Sequence, residues 1–87
     1  MQGVIAIISK TNAVRGLVIN GDYKKALRIV KSFQLGITPN NLSKITLAYE
    51  CMVYPKFYEQ LGTDTATAIT EGIQILKTLY GQNENYS

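Results

Sequence analysis

The side chains of this chain that could do chemistry are few. Among its 87 residues there is no His and no Trp, and Cys51 is the only cysteine. The lack of His removes most pairings of a nucleophile with a general base and any His-containing metal site, and a lone Cys forms no internal disulfide. The carboxylates Glu50, Glu59, Asp64 and Glu71 are scattered at spacings that indicate no acid–base pair or metal cluster. The sequence therefore predicts a protein that is not an enzyme and that binds no cofactor or metal ion.

Positive charge is concentrated in the first half of the chain. The net charge is +3, but the first 44 residues contain seven basic residues and one acidic residue, a net charge of +6, whereas the remainder has a net charge of −3. Lys24, Arg28 and Lys31 are spaced at i, i+4 and i+7 with Lys25 beside them, which places them on one side of a helix. We call these four residues the basic face. It predicts binding to a larger protein with an acidic or nucleic-acid-binding surface, and a merely solvated face is the alternative.

Aromatic residues cluster around Pro55. Half of the eight Phe and Tyr residues lie within ten positions, and Tyr54, Phe57 and Tyr58 are the candidates for a binding surface. Tyrosine is stiff and amphipathic, which suits the centre of a protein interface. It also suits the lid of a small core, where the ring is covered and the hydroxyl stays in water. The sequence is compatible with both interpretations.

Binding to DNA is the alternative function. Residues 28–45 resemble a helix–turn–helix unit, with Gly36 in the turn and with Leu42 and Ile45 facing inward on the second helix. The side chains that this helix would present to DNA are Asn40, Asn41, Ser43 and Lys44. Against this reading, Lys31 falls where such units bury an apolar residue, and the reading helix has no Arg or Gln.

Apolar periodicity and helix-capping residues predict the elements that position these side chains. The predicted helices span residues 10–19, 23–33, 39–54, 56–61 and 65–80, with Ser9, Asp22, Thr38 and Asp64 (or Thr63) as N-caps and Gly81 as a left-handed C-cap. The fold class is therefore predicted to be all-α, a compact bundle of four to five short helices in a single domain of residues 1–81. Residues 82–87 are expected to form a frayed tail.

The run of apolar residues from Val4 to Ile8 is ambiguous. It either extends the first helix, packs irregularly or forms a lone strand, and a strand would need an edge on a second copy or a partner. This run is the candidate contact for a homodimer. At five residues it is too short for a signal peptide or a membrane span, so we expect a cytoplasmic protein with no membrane partner.

Several blocks of the sequence resemble a known group of proteins. The blocks are KALRIVKSF (25–33), LGIT (35–38), AYECMV (48–53), PKFYEQLG (55–62) and GIQILKTLYG (72–81). Over about residues 20–81 the chain is similar to short hypothetical proteins of phages, prophages and mobile elements of Gram-positive bacteria. The resemblance implies an accessory gene, of the kind that encodes small regulators or stoichiometric inhibitors of host and defence machinery, such as anti-CRISPR proteins. It assigns no role to any residue.

Overall fold

Five α-helices follow one another along the described part of the chain. The computed structural model describes the backbone of residues 2–33 and 37–81 and the side chains of residues 11–33 and 37–81. The helices are α1 (Gln2–Ile19), α2 (Tyr23–Val30), α3 (Pro39–Val53), α4 (Pro55–Gln60) and α5 (Thr65–Tyr80). Those backbone ranges contain no strand, which confirms the predicted all-α class.

Side-chain caps begin three of the helices as the sequence predicts. Asp22, Thr38 and Asp64 each accept a hydrogen bond from the backbone amide three residues later, at 3.5, 3.1 and 3.2 Å. These bonds satisfy amides that have no partner inside a helix. Pro39 occupies the first position of α3, where its missing N–H has no effect on the helix.

Helix α2 ends at Val30, three residues before the predicted end at Phe33. The Ser32 hydroxyl donates a hydrogen bond of 2.7 Å to the Ile29 carbonyl, which also accepts from the Ser32 amide. The Phe33 amide bonds in the same way to the carbonyl three residues back. The chain therefore tightens into a turn here, because serine competes for a carbonyl that would otherwise continue the helix.

The predicted left-handed cap at Gly81 is wrong. Gly81 has a φ of −102°, and its amide donates to the Lys77 carbonyl at 2.9 Å in the ordinary helical pattern. The left-handed backbone occurs instead at Gly21, with φ +80°, and at Gly62, with φ +86°. Both glycines lie in short connections between helices, of three residues (20–22) and four residues (61–64), where a left-handed residue allows a tight turn.

Helix α1 begins at Gln2, eight residues before the predicted start at Lys10. Ser9 therefore lies inside the helix and is not its cap, and the lone-strand interpretation of Val4–Ile8 is wrong. A helix satisfies its own backbone hydrogen bonds, whereas a lone strand in one chain leaves them unpaired. The side chains of Val4–Ile8 and the predicted tail at residues 82–87 lie outside the described part of the chain.

The core forms where α1, α2, α3 and α5 meet. Its buried side chains are Val14, Val18, Ala26, Leu27, Val30, Ile45, Ala48, Cys51, Leu76 and Tyr80. Among the described residues, α3 and α5 make the most extensive contact between two helices, and they approach each other closely at Gly72. A Cβ atom at Gly72 would collide with the Cβ of Ala48 and would lie 3.5 Å from both Leu27 Cδ2 and the Lys44 carbonyl oxygen. Glycine thus allows the two helices to approach this closely.

Candidate protein-binding surface

Helix α4 keeps its apolar side chains in water. The helix runs from Pro55, which terminates α3, to Gln60. All six of its residues are described, and none of them is buried. Tyr54, Phe57 and Leu61 are 57, 56 and 64% exposed. Phe57 lies within α4, and Tyr54 and Leu61 flank it as its N-cap and C-cap residues. We call these three residues the α4 face.

Tyr58 attaches α4 to α3. Its hydroxyl donates a hydrogen bond of 2.8 Å to Glu50 Oε1. This hydrogen bond raises the pKa of Tyr58, and partial burial and the Glu50 charge add to the effect. The ring of Tyr58 also meets the ring of Phe57 edge-on, with centroids 5.0 Å apart and planes at 89°. Tyr58 therefore links α4 to α3 and contacts Phe57 of the α4 face, whose three side chains are exposed.

The core-lid interpretation of the aromatic cluster is wrong for Tyr54 and Phe57. Both expose more than half of their surface, whereas Tyr58 is half-buried. Tyr49 is the aromatic residue of this region that packs against the core. Leu61 is a member of the α4 face that sequence reasoning missed, although its spacing of four residues from Phe57 could have indicated it.

Three of the four residues of the basic face are exposed, and Lys31 is half-buried. Lys24, Lys25 and Arg28 are exposed, and the Lys25 ammonium lies 3.9 Å from the Asp22 carboxylate. Lys31 is half-buried, with its ammonium 5.3 Å from the centre of the Tyr49 ring. This cation–π contact, typically worth about 0.5–1 kcal/mol at the surface, joins the end of α2 to α3. Lys31 is thus partly structural.

The proposed DNA-reading residues are divided between exposed and partly covered positions. Asn40, Ser43 and Lys44 are exposed on the first half of α3. Asn41 is half-buried, and its backbone N–H donates a hydrogen bond to Thr38 Oγ1. The predicted turn around Gly36 lies outside the described residues.

A shallow, open groove lies on the surface of α3 beside Tyr58 of α4. We call it the α3 groove, and it is lined by Pro39, Leu42, Ser43, Thr46, Leu47, Glu50 and Tyr58. Sequence reasoning assigned Leu42 to the inward stripe, but it is half-buried and lines this groove. Leu47, which is 37% exposed, was missed because it lies outside that stripe. Tyr58 belongs to the groove and contacts Phe57, so the groove and the α4 face adjoin.

The residues that could take part in catalysis, Cys51, Glu50 and Asp64, are buried or are engaged in hydrogen bonds within the fold. Cys51 is buried, and burial followed by the charge of Glu50 raises the pKa of its thiol, which disfavours the thiolate needed for nucleophilic attack. Glu50 accepts from Tyr58, and Asp64 accepts from both the amide and the hydroxyl of Thr67. Within the described residues, no three Cys, Asp or Glu side chains are grouped as metal ligands.

Among the described residues, no helix has both the length and the apolar character needed to cross a membrane. Comparison with protein-family models, with curated proteins and with solved structures found no match to this chain.

Proposed function

We propose that this protein is a non-catalytic binding module that captures a larger protein through the α4 face. The observation that carries the proposal is the exposure of Tyr54, Phe57 and Leu61, which lie in or directly beside a short helix that Tyr58 attaches to α3. Aromatic side chains of this kind, presented with little conformational freedom, are typical of the few residues that dominate protein–protein binding energy.

The basic face supplies the electrostatic part of the proposal. Lys24, Lys25 and Arg28 are exposed on α2 and would attract a partner with an acidic surface. The resemblance to phage and mobile-element accessory proteins supports the further proposal that this partner is a host or defence protein and that the module is its stoichiometric inhibitor or modulator.

The experiment compares three immobilised baits in a lysate of the native host. They are the wild type, the variant Tyr54→Ser/Phe57→Ser/Leu61→Ser, and a control variant Lys56→Ser/Glu59→Ser/Gln60→Ser that alters exposed residues of the same helix. We expect the α4-face variant to lose its specific protein by at least about 100-fold in affinity, as loss of central anchors does, and the control to retain it. Circular dichroism verifies that all three baits are folded. Capture of the same proteins by all three baits would contradict the proposal.

The basic face is tested separately by charge reversal. The variant Lys24→Glu/Lys25→Glu/Arg28→Glu omits Lys31, because reversal there also removes the contact with Tyr49. We expect slower association with the captured protein and a loss of salt dependence, since exposed charges act mainly on the association rate. An unchanged association rate would exclude this face from the contact.

Binding to DNA is a second candidate, favoured by the exposure of Asn40, Ser43 and Lys44 on α3. Fluorescence anisotropy against mixed-sequence duplex DNA tests it at low and near-physiological salt. Micromolar binding that weakens steeply with salt and is reduced by Lys44→Ala would support this function, since phosphate contacts release counterions. An absence of binding at low salt would exclude it.

A further inference from the structure

We infer that this protein binds a second copy of itself head to tail, so that the end of one copy that contains α4 contacts the opposite end of the next copy. The inference goes beyond the proposed function and does not depend on it. Its basis is a match, in exposed apolar side chains and in charge, between two surfaces of the same chain.

Helix α5 separates these two surfaces. Its 16 residues span about 24 Å at the α-helical rise. Where α5 begins, a connection of four residues joins it to α4, which also contacts α3. We call residues 50–64, which are the last turn of α3, α4 and this connection, the α4 end.

Where α5 ends, it meets the last turn of α1 and the first turn of α2. A Cβ atom at Gly81 would lie 3.4 Å from Val18 Cγ1, and the Lys77 ammonium lies 5.6 Å from the centre of the Tyr23 ring. We call residues 18–25 and 77–81 the Ile19 end. Because the length of α5 separates the two ends, one chain cannot bring them into contact with each other, whereas two copies can.

Exposed apolar side chains are concentrated at these two ends. The α4 end contains the α4 face. At the other end, Ile19 is 61% exposed at the last position of α1, and Leu79 is 37% exposed in the last turn of α5. Among the described residues, Leu47 is the one other large apolar residue that is exposed. A head-to-tail contact would therefore remove apolar surface of both ends from water.

The two ends have opposite net charges. Residues 50–64 have a net charge of −2, whereas residues 18–25 and 77–81 together have a net charge of +2. The charged residues are Glu50, Lys56, Glu59 and Asp64 at the α4 end and Asp22, Lys24, Lys25 and Lys77 at the Ile19 end. In a head-to-tail pair each end faces charge of the opposite sign, whereas a symmetric pair through the α4 ends would place carboxylates against carboxylates.

The negative charge of the α4 end is not a by-product of helix electrostatics. Glu50 lies in the last turn of α3 and Glu59 in the last turn of α4, where the helix dipole favours a cation. Asp64, the N-cap of α5, is the carboxylate of this end whose position the dipole does favour. The other two therefore fit a surface that meets a cationic one.

A head-to-tail contact leaves one free end of each kind on every pair of copies. Association then continues into open chains unless the rotation between copies closes a ring. The contact also covers the α4 face, so self-association would compete with the capture of a larger protein.

Sedimentation velocity of the purified full chain, over a concentration series at low and near-physiological salt, tests the inference. We expect a weight-average sedimentation coefficient that rises with protein concentration and falls when salt is added, because salt screens the facing charges. Ile19→Ser and Phe57→Ser, one at each end, should each weaken self-association at least about tenfold. Leu47→Ser, midway along α3, is the matched control and should leave it unchanged.

Charge reversal and mixing then identify the two ends. Lys24→Glu/Lys25→Glu reverses the Ile19 end, and Glu59→Lys/Gln60→Lys reverses the α4 end without removing the hydrogen bonds of Glu50 and Asp64. Each variant alone should self-associate at least about tenfold more weakly than wild type, since like charges then face each other. An equimolar mixture should regain association, because each variant retains the end that the other has lost. Circular dichroism verifies that all variants are folded.

Three results would overturn the inference. The first is a monomer at every concentration in low salt. The second is self-association that the Lys24→Glu/Lys25→Glu variant retains in full, which would indicate a contact that does not use the Ile19 end. The third is a mixture of the two charge-reversed variants that associates no more strongly than either variant alone. None of these measurements requires the captured partner, so their failure is distinct from a failure of the proposed function.

Discussion

Helices α5 and α4 both carry apolar residues three or four positions apart. Only in α5 are some of these residues buried against other helices. In α5, Gly72, Leu76 and Tyr80 are buried against the other helices. In α4, the apolar residues at 54, 57 and 61 remain in water. Apolar periodicity therefore predicts a helix with one apolar side, and the packing of the other helices determines whether that side stabilises the fold or is available to a partner.

The largest difference is expected between two leucine truncations. Leu76→Ala should lower the free energy of unfolding by about 3 kcal/mol, because Leu76 is fully buried and its removal leaves a cavity. Leu61→Ala, at a residue that is 64% exposed, should change it by about 0.5 kcal/mol or less. Urea denaturation monitored by circular dichroism measures both values. Similar losses in the two variants would mean that the α4 face is covered in solution.

A pair of glycine substitutions tests the close approach of α3 and α5. Gly72→Ala should destabilise the protein by about 2 kcal/mol, since the new methyl group overlaps Ala48 and forces the helices apart. Gly16→Ala is the matched control, because Gly16 lies in α1 with open space where its Cβ would be. There the substitution should stabilise by about 0.5–1 kcal/mol through helix propensity. Two changes of the same sign would contradict the packing described for Gly72.

Removal of the Tyr58 hydroxyl should loosen α4 alone. Tyr58→Phe should speed hydrogen exchange of the α4 amides and leave those of α5 unchanged, because the bond to Glu50 joins only α4 to α3. Tyr54→Phe, at a residue that is 57% exposed, is the control.

The same bond has a defined pH dependence. The pKa of Tyr58 is raised in the folded protein, so its stabilising contribution is complete below the ordinary value of 10.0 and is lost as the pH rises through the folded value. The Tm difference between wild type and Tyr58→Phe should therefore shrink in alkali. A difference that is constant with pH would contradict the role of this hydrogen bond.

An effect smaller than those at Leu76 and Gly72 is expected at the N-cap of α5. Asp64→Ala should lower Tm by about 5 °C at neutral pH, because the amide of Thr67 loses its acceptor. The hydrogen bonds from Thr67 lower the pKa of Asp64, so its contribution is present above the ordinary value of 3.8 and is lost as the pH falls through the folded value. The two melting curves should converge in acid. Asp64→Ser, which keeps a cap without this titration, should show a smaller loss at neutral pH.

Local chemistry allowed most helix ends to be predicted from the sequence. Asp22, Thr38 and Asp64 cap helices because their oxygens reach amides three residues away, and Pro55 ends α3 because the residue before proline avoids helical geometry. The early end of α2 depends on a hydrogen bond from Ser32, a residue that also occurs inside helices.

The surfaces were less predictable, because burial depends on residues distant in the sequence. The spacing of Leu61 from Phe57 indicates that the two could share a surface. Whether Leu47 and Leu61 are exposed, however, depends on what packs against them, and no local pattern contains that information. Likewise, the spacing of Lys31 places it on the basic face, but its contact with Tyr49 depends on how α2 meets α3. The aromatic cluster could be located from the sequence, whereas its division into covered and uncovered rings could not.

Because Cys51 is buried, the rate at which its thiol reacts with a reagent measures how often the protein opens. A thiol reagent such as dithionitrobenzoate reaches the sulfur only when the packing around α3 is disrupted, and the chain contains no second thiol to add signal. At high reagent concentration the labelling rate therefore reports the opening rate, and at low concentration it reports the population of the open state. Each variant described above can thus be ranked for kinetic stability without an attached dye.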